Sequence, residues 1–207
     1  MKNKLVKDAL ILLAITVVCG VGLGAMYSIT KEPIAQVDYQ KTQNAYKAVM
    51  PDAASFEELP GFSEEEATAY VQKDWPDDTI NTVMQAVDAD GNLAGYVITV
   101  TSSAGYGGDV TFSIGYKPDG TLTKYSITTI NETPGLGAKA TESKFMDQFN
   151  DKNVDQFEVT KTGSTSDAEI DAITGATITS RAVTYGVNAG MLYGDYLLEQ
   201  NGGEVVE

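Results

Sequence analysis

The sequence predicts an α+β fold, in which helices pack on an antiparallel sheet and one N-terminal transmembrane helix precedes the folded part. Three observations predict it. Residues 9–27 are apolar and uncharged, residues 82–130 contain four segments rich in β-branched and aromatic residues, and residues 180–199 repeat apolar positions with a helical period. With 207 residues, 43% of them apolar, the chain is long enough for one domain of ordinary size.

A membrane anchor is predicted for residues 1–30. Residues 9–27 contain neither a charge nor a proline, and a helix of about 20 apolar residues spans the hydrocarbon core of a bilayer. Because Lys2, Lys4 and Lys7 precede this run, the positive-inside rule puts the N-terminus in the cytoplasm and everything after residue 30 outside. A cleaved signal peptide is the alternative interpretation, although the run is longer than a usual signal-peptide core and lacks a clear cleavage site.

A connecting segment is predicted for residues 31–79. Residues 36–50 have the composition of a helix, which Pro51 and Asp52 should end. Residues 52–78 are acidic, and we expect them to be irregular. The glutamates at 64–66 are interpreted as a solvated surface, because a cation site usually needs ligands from several directions.

The folded domain is predicted for residues 80–207. It starts with four strands at 82–88, 93–101, 109–116 and 121–130, joined by turns at 90–92 and 118–120 and by a flexible glycine-rich loop at 105–108. A helix at 142–149, a short strand at 157–160 and a polar loop at 161–168 follow. The last helix, 180–199, is predicted to bring several apolar and small residues to one face: Val183, Val187, Gly190, Met191, Gly194 and Leu198.

Charge and composition exclude several classes of function. The chain has 14 Lys and Arg against 29 Asp and Glu, no histidine and one cysteine. Without histidine it cannot use Ser-His-Asp or Cys-His catalysis or the common zinc and haem ligand sets, and one cysteine excludes an intramolecular disulfide or a Cys₄ iron–sulfur cluster. The part after residue 30 has 11 basic and 28 acidic side chains, a formal charge of −17, which argues against nucleic-acid binding. A redox function would therefore need an organic cofactor.

The most informative segment is 171–180, D-A-I-T-G-A-T-I-T-S. On the residues alone, Thr-Gly-Ala-Thr before an amphipathic helix is typical of a helix start, with Thr179 or Ser180 as the N-cap. The segment also resembles the flavinylation signature of FMN-binding domains, in which an acid precedes Ser/Thr-Gly-Ala-Thr and often another Ser/Thr follows. The residues that match are Asp171, Thr174, Gly175, Ala176, Thr177 and Thr179.

The resemblance implies that Thr177 carries FMN through a phosphoester bond. A flavin transferase must form this bond, because no residue of the chain could serve as the base for an unactivated alcohol. Asp171 is implied as a recognition residue for the transferase, with a helix-approach turn as its alternative, and Gly175 and Ala176 leave the backbone around the hydroxyl uncrowded. The phosphodiester is expected near the start of the last helix, where free N–H groups favour an anion. Covalent attachment would also hold an anionic ligand on a strongly acidic domain.

A second segment, 132–137, has the sequence E-T-P-G-L-G. On the residues alone, its Pro-Gly pair is a turn after a long strand. The resemblance implies instead that the segment, from Glu132 onward, lines the isoalloxazine ring. Gly135 and Gly137 would permit close approach, Leu136 would pack on the ring and Thr133 would offer a hydrogen bond at its edge. Relatives often carry histidine just before this segment, whereas Asn131 stands here, so the resemblance supports no proton-transfer role at that position.

Over the whole chain, the order of anchor, sheet and these two motifs is similar to that of the G subunits of Rnf electron-transport complexes. The C subunits of sodium-translocating NADH:quinone reductases are similar but usually longer. The resemblance implies a redox subunit that relays electrons through covalent FMN in a membrane complex, coupled to ion movement, with other membrane subunits as partners. Two other hypotheses stay open: a stand-alone exported flavin carrier, and a non-redox surface binding module in which the threonine motif is only a helix start. No metal site is expected.

Overall fold

The computed structural model describes residues 2–201, so residue 1 of the predicted anchor and residues 202–207 of the predicted domain lie outside the described residues. The chain divides into two compact units, Met1–Thr42 and Gln43–Glu207. The helices and strands are α1 (Lys2–Val49), β1 (Ser55–Glu58), α2 (Glu64–Val71), β2 (Asp78–Val87), β3 (Leu93–Ser102), β4 (Val110–Tyr116), β5 (Leu122–Thr129), α3 (Ser143–Met146), β6 (Glu158–Thr160), β7 (Glu169–Asp171) and α4 (Thr177–Asn201). The α+β fold class is confirmed.

The first unit consists of the greater part of helix α1. Its most apolar window has a mean hydropathy of 2.5 and no buried residue, so by length and composition the helix could cross a membrane. The sequence predicts a second helix beginning at residue 36, whereas α1 is one helix that continues through Pro33 to Val49. Pro33 removes only one backbone hydrogen bond, and the residues on both sides of it favour helix, which explains why the helix does not end there.

Five antiparallel strands form the sheet of the second unit, in the order β1-β2-β3-β4-β5. The four predicted strands are confirmed as β2 to β5, with small differences at their ends. The prediction that residues 52–78 are irregular is wrong, because strand β1 and helix α2 lie in this segment. Strand β1 exists through its pairing with β2, from Ser55 opposite Val87 to Glu58 opposite Met84.

Helix α2 has a start signal that can be read in the sequence. The Ser63 side chain accepts a hydrogen bond from the backbone N–H of Glu66, as an N-cap does. The three glutamates at 64–66 occupy the first turn, where negative charge is favourable, and they are exposed as expected.

Helix α4 packs across one face of the sheet, and the predicted set of apolar and small residues does share one buried side. Gly186, Gly190 and Gly194 follow each other at intervals of four residues. A Cβ atom added at these positions would lie 2.8 Å from Phe112, 2.6 Å from Ile114 and 2.4 Å from Tyr116, respectively. These three side chains belong to every second residue of β4 and therefore lie on one face of the sheet. The glycines let α4 lie directly on that strand.

A smaller apolar cluster lies on the other face of the sheet. The end of α1 contributes Tyr46 and Val49, followed by Met50, and the strands contribute Ala86 and Val97. The Val49 carbonyl accepts a hydrogen bond from the Thr123 hydroxyl, which satisfies one of the free carbonyls at the helix end.

The predicted helix at 142–149 is present only in pieces. A 3₁₀ turn at Gly137–Thr141, the short helix α3 and a second 3₁₀ turn at Asp147–Phe149 replace it. Phe145 and Phe149 both enter the core, where Phe149 contacts Tyr125 and Phe157 at ring-centroid distances of 5.2 and 5.1 Å. The predicted strand at 157–160 is confirmed as β6, and it pairs in parallel with β7, which the sequence analysis did not identify.

Candidate functional site

Segments 132–137 and 175–179 meet at one pocket of about 450 Å³. A third segment, the glycine-rich loop at 105–108, contributes Tyr106. The complete lining consists of Tyr106, Glu132, Thr133, Leu136, Gly137, Gly175, Ala176, Thr177, Ile178 and Thr179. The pocket therefore combines seven of the ten residues that the sequence analysis singled out as candidates.

Two tight turns bring these segments together. The Leu136 N–H donates to the Thr133 carbonyl at 3.1 Å, with Pro134 and Gly135 between them and a φ of +78° at Gly135. This is the arrangement of a type II turn, whose third position favours glycine. Gly135 does not line the pocket, so its observed contribution is to the turn.

The second turn precedes helix α4. The Ala176 N–H donates to the Ile173 carbonyl at 2.9 Å, and Gly175 has a φ of +80°. A Cβ atom added at Gly175 would lie 3.2 Å from Cδ2 of Leu136. The two turns are thus in close contact at the edge of the pocket, and a larger residue at position 175 would push Leu136 away.

Glu132 connects the three segments. Its side chain is 9% exposed, and its Oε1 accepts hydrogen bonds from the Tyr106 N–H at 2.9 Å, the Gly107 N–H at 3.2 Å and the Thr179 hydroxyl at 2.8 Å. Hydrogen bonds to a charged acceptor are stronger than neutral ones. Glu132 therefore links the 105–108 loop and the first turn of α4 to the 132–137 turn, and the flexibility of the loop stays a prediction.

Gly137 packs tightly against this carboxylate. A Cβ atom at position 137 would lie 2.5 Å from Glu132 Oε2 and 2.7 Å from the Thr179 hydroxyl oxygen. Any larger residue would therefore separate the Glu132–Thr179 pair. The Tyr125 hydroxyl fixes the 3₁₀ turn that begins at Gly137, because it donates a hydrogen bond to the Ala140 carbonyl at 2.6 Å. Burial raises the pKa of Tyr125, so the hydroxyl stays a donor at neutral pH.

Thr177 is the first residue of α4 and is half-buried at the pocket. The prediction that Thr179 or Ser180 caps this helix is wrong, because both lie inside its first turn. The Ser180 hydroxyl donates to the Ala176 carbonyl and accepts from the Ile173 N–H, both at 2.9 Å. The Thr179 hydroxyl donates to Glu132 instead, and the helix starts three residues earlier than predicted.

Asp171 and Thr174 lie outside this pocket. Both line a second hollow of about 560 Å³, together with three lysines, Lys139, Lys144 and Lys161. The Asp171 backbone is held by the side-chain amide of Gln148, which accepts from its N–H at 2.6 Å and donates to its carbonyl at 3.4 Å. The segment 171–179 therefore separates two hollows. Residues 171–174 line the hollow with the three lysines, and residues 175–179 line the pocket that contains Thr177.

Two lining residues, Tyr106 and Ile178, have no counterpart among the predicted site residues, and Thr179 was predicted as a motif residue and N-cap candidate rather than as part of a pocket. Tyr106 is 74% exposed, Ile178 53% and Leu136 44%, so the rim of the pocket is apolar although it faces solvent. The rim surrounds a few polar groups, including the Thr133 and Thr177 hydroxyls. A pocket of this size and lining suits a planar, partly apolar ligand.

Comparisons with known proteins show the family of this chain. The model of the FMN-binding domain family matches residues 105–191, which begin at the Tyr106 loop and end within α4. The G subunit of the Na⁺-translocating ferredoxin:NAD⁺ oxidoreductase complex from Acetobacterium woodii is 35% identical over 88% of this chain and 87% of its own length. The G subunit of the proton-translocating ferredoxin:NAD⁺ oxidoreductase complex from Clostridium ljungdahlii is 35% identical over 84% of each chain.

Among solved structures, NqrC from Shewanella oneidensis superimposes with a TM-score of 0.50. The match covers 59% of this chain and 61% of that chain, at 19% sequence identity. At this level the comparison supports a shared fold.

Proposed function

Because the chain belongs to the family of G subunits of ion-translocating ferredoxin:NAD oxidoreductase (Rnf) complexes and contains an FMN-binding domain, we propose that it relays electrons through FMN bound covalently at Thr177. The observation that carries this proposal is the meeting of the Thr-Gly-Ala-Thr turn and the 132–137 turn at one pocket, with the Thr177 side chain at its wall.

The pocket fits FMN by its chemistry. Its volume of about 450 Å³ lies within the usual range for small-molecule sites. Tyr106, Leu136 and Ile178 offer apolar surface to an isoalloxazine ring, and Thr133 offers a hydroxyl at the rim. Bound FMN would supply reversible one-electron and two-electron chemistry, which the side chains of this chain lack.

Thr177 is suited to modification by its position. It is half-buried rather than enclosed, and it begins a helix of 25 residues, where unpaired N–H groups favour a phosphate. Gly175 and Ala176, which precede it, present no bulky side chain to an approaching enzyme.

Attachment needs a flavin transferase and an activated donor, a flavin dinucleotide. The bond between the Thr177 Oγ1 atom and the FMN phosphorus forms, the phosphoanhydride bond to the leaving nucleotide breaks, and the hydroxyl proton passes to a base of the transferase. We assign Asp171 to recognition by that enzyme, since its carboxylate is exposed and lies outside the flavin pocket.

The chain's own residues position the flavin rather than react with it. Glu132 fixes the Tyr106 loop, the 132–137 turn and the first turn of α4 relative to each other through its three hydrogen bonds. A pocket held this way keeps the electron carrier at one distance from its redox neighbours in the complex.

The relatives belong to multi-subunit complexes, so this chain works together with other subunits. We further propose that α1 anchors it in the cell membrane, with the N-terminus in the cytoplasm and the FMN domain outside. The support for this orientation is the group Lys2, Lys4 and Lys7 before the apolar run.

The test is co-production of the full chain with a flavin transferase, followed by fluorescence of the denatured gel band and intact-mass measurement. Wild type should gain the mass of FMN less one water and fluoresce. Thr177→Val should stay folded and unmodified, whereas Thr162→Val, which removes an exposed threonine hydroxyl outside both motifs, should be modified like wild type. A fluorescent Thr177→Val protein, or an unmodified wild type, would contradict the proposal.

A further inference from the structure

Arg181 is the only arginine of the chain, and it lies on α4, four residues after Thr177. It is exposed. Among the described residues its guanidinium forms neither a hydrogen bond nor an ion pair within 4 Å. The part of the chain after residue 30 nevertheless has 28 acidic and only 11 basic side chains. An exposed arginine without a carboxylate partner in so acidic a domain needs an explanation.

Helix geometry brings Arg181 to the site of attachment. Residues four apart lie on the same face of a helix, with Cβ atoms about 5–6 Å from each other. Side chains on a helix also lean toward its N-terminus, so the long Arg181 side chain extends over the turn that begins with Thr177. Tyr185 continues this exposed face on the next turn.

The flavin pocket itself offers a phosphate no positive charge. Within the described part of the chain its lining contains no lysine or arginine, and its one ionisable acid is Glu132. Lys139, Lys144 and Lys161 line the other hollow, together with segment 171–174. Arg181 is therefore the cation that the helix places beside Thr177.

We propose that Arg181 binds the phosphodiester that links FMN to Thr177, a role that rests on the proposed function. Two N–H groups of a guanidinium match two oxygens of one phosphate, which a lysine ammonium cannot do in the same way. Each flavin adds one negative charge to a domain that already carries −17. Arg181 offsets that charge and fixes the phosphate end of the cofactor, while the apolar rim holds the ring.

The experiment is a thermodynamic cycle with the full chain in detergent. Wild type, Arg181→Gln and Arg181→Lys are each made without and with flavin transferase, using flavin adenine dinucleotide as the donor, and modification is verified by mass. The ratio of the folding constants of modified and unmodified protein is then measured by urea unfolding with circular dichroism. Lys144→Gln, which removes another exposed cation from the other hollow, is the matched control.

The ratio should fall roughly threefold or more in Arg181→Gln relative to wild type, should be intermediate in Arg181→Lys and should be unchanged in Lys144→Gln. Added salt should weaken the effect. An unchanged ratio in Arg181→Gln, or an equal fall in Lys144→Gln, would overturn the role of Arg181. If Arg181→Gln accepts no flavin, the Arg181→Lys variant is the test. A ratio of folding constants in Arg181→Lys equal to that of wild type would contradict the binding of two phosphate oxygens by the guanidinium. A wild type that never gains the FMN mass would refute the proposed function instead.

Discussion

Asp78 is a buried carboxyl group whose ionisation should destabilise the domain. It is the first residue of β2, opposite Ser102 of β3, and is only 1% exposed. Among residues 2–201 its Oδ1 has no hydrogen-bond partner, and α4 lies so close that a Cβ atom at Gly186 would be 3.2 Å from it. Burial raises the pKa of Asp78 from 3.8 to about 6, the nearby Asp77 carboxylate adds to this, and the Ser102 hydroxyl only partly opposes it.

The free energy of unfolding that is lost when Asp78 ionises follows from this pKa shift. An acid whose pKa is higher in the folded state binds its proton more tightly there, so its contribution to stability is complete below pH 3.8 and is lost as the pH rises through about 6. At 1.36 kcal/mol for each pKa unit, the full loss is about 3 kcal/mol. Asp78→Asn removes the charge at nearly constant volume, so it should stabilise the protein by up to about 3 kcal/mol at pH 8 and by little at pH 4.

The assay is urea unfolding of the full chain in detergent across this pH range, followed by tryptophan fluorescence. Trp75 is the only tryptophan and packs on Tyr185 with ring centroids 5.2 Å apart, so its signal reports on the second unit. Asp74→Asn, an exposed neighbour, is the control and should change stability little at any pH. If Asp78→Asn shows the same advantage at pH 4 and pH 8, or loses stability at pH 8, the reasoning about the buried charge is wrong.

Three further predictions concern the pocket and the core. Tyr106→Leu should make the attached flavin more fluorescent, because a tyrosine in contact with the ring quenches its fluorescence by electron transfer. The control is Tyr39→Leu, which removes another exposed tyrosine. Equal flavin emission from the two variants would argue against contact between Tyr106 and the ring. Glu132→Ala should cost at least about 2 kcal/mol of unfolding free energy, because it leaves its three donors unpaired. Glu132→Gln should retain most of that stability. Protection of the Tyr106 and Gly107 amides from hydrogen exchange should likewise be highest in wild type, lower in Glu132→Gln and lowest in Glu132→Ala. Gly194→Ala should cost roughly 1–3 kcal/mol, because the new Cβ would lie 2.4 Å from the Tyr116 ring, whereas Gly22→Ala, with nothing within 4 Å, should leave the urea midpoint of Trp75 fluorescence unchanged.

The sheet was predictable from sequence where local signals are strong. Strands β2 to β5 contain β-branched and aromatic residues between well-marked turns, and all four were found. Strand β1 has the sequence Ser-Phe-Glu-Glu, which has little strand character, and it forms only because β2 offers a free edge. Helix α2 differs from it, since the sequence does contain the signal: Ser63 followed three residues later by Glu66 is a capping pattern.

The candidate site could be predicted in its two motifs but not in its assembly. Leu136 and Gly175 are distant in sequence, and their contact depends on two glycine turns whose relative position only the folded chain defines. Tyr106 was missed because its link to the site is a backbone hydrogen bond to Glu132, 26 residues away. A glycine-rich loop has no periodicity that would reveal such a link.

Covalent attachment of FMN to Thr177 is tested most directly by the mass of this chain purified from its own cells, where its natural flavin transferase is present. Fragmentation of the peptide that contains segment 171–180 would locate any modification on a single residue. We expect one added FMN, less one water, on the Thr177 oxygen. An unmodified Thr177 in that preparation, or a flavin attached to a different residue, would contradict it.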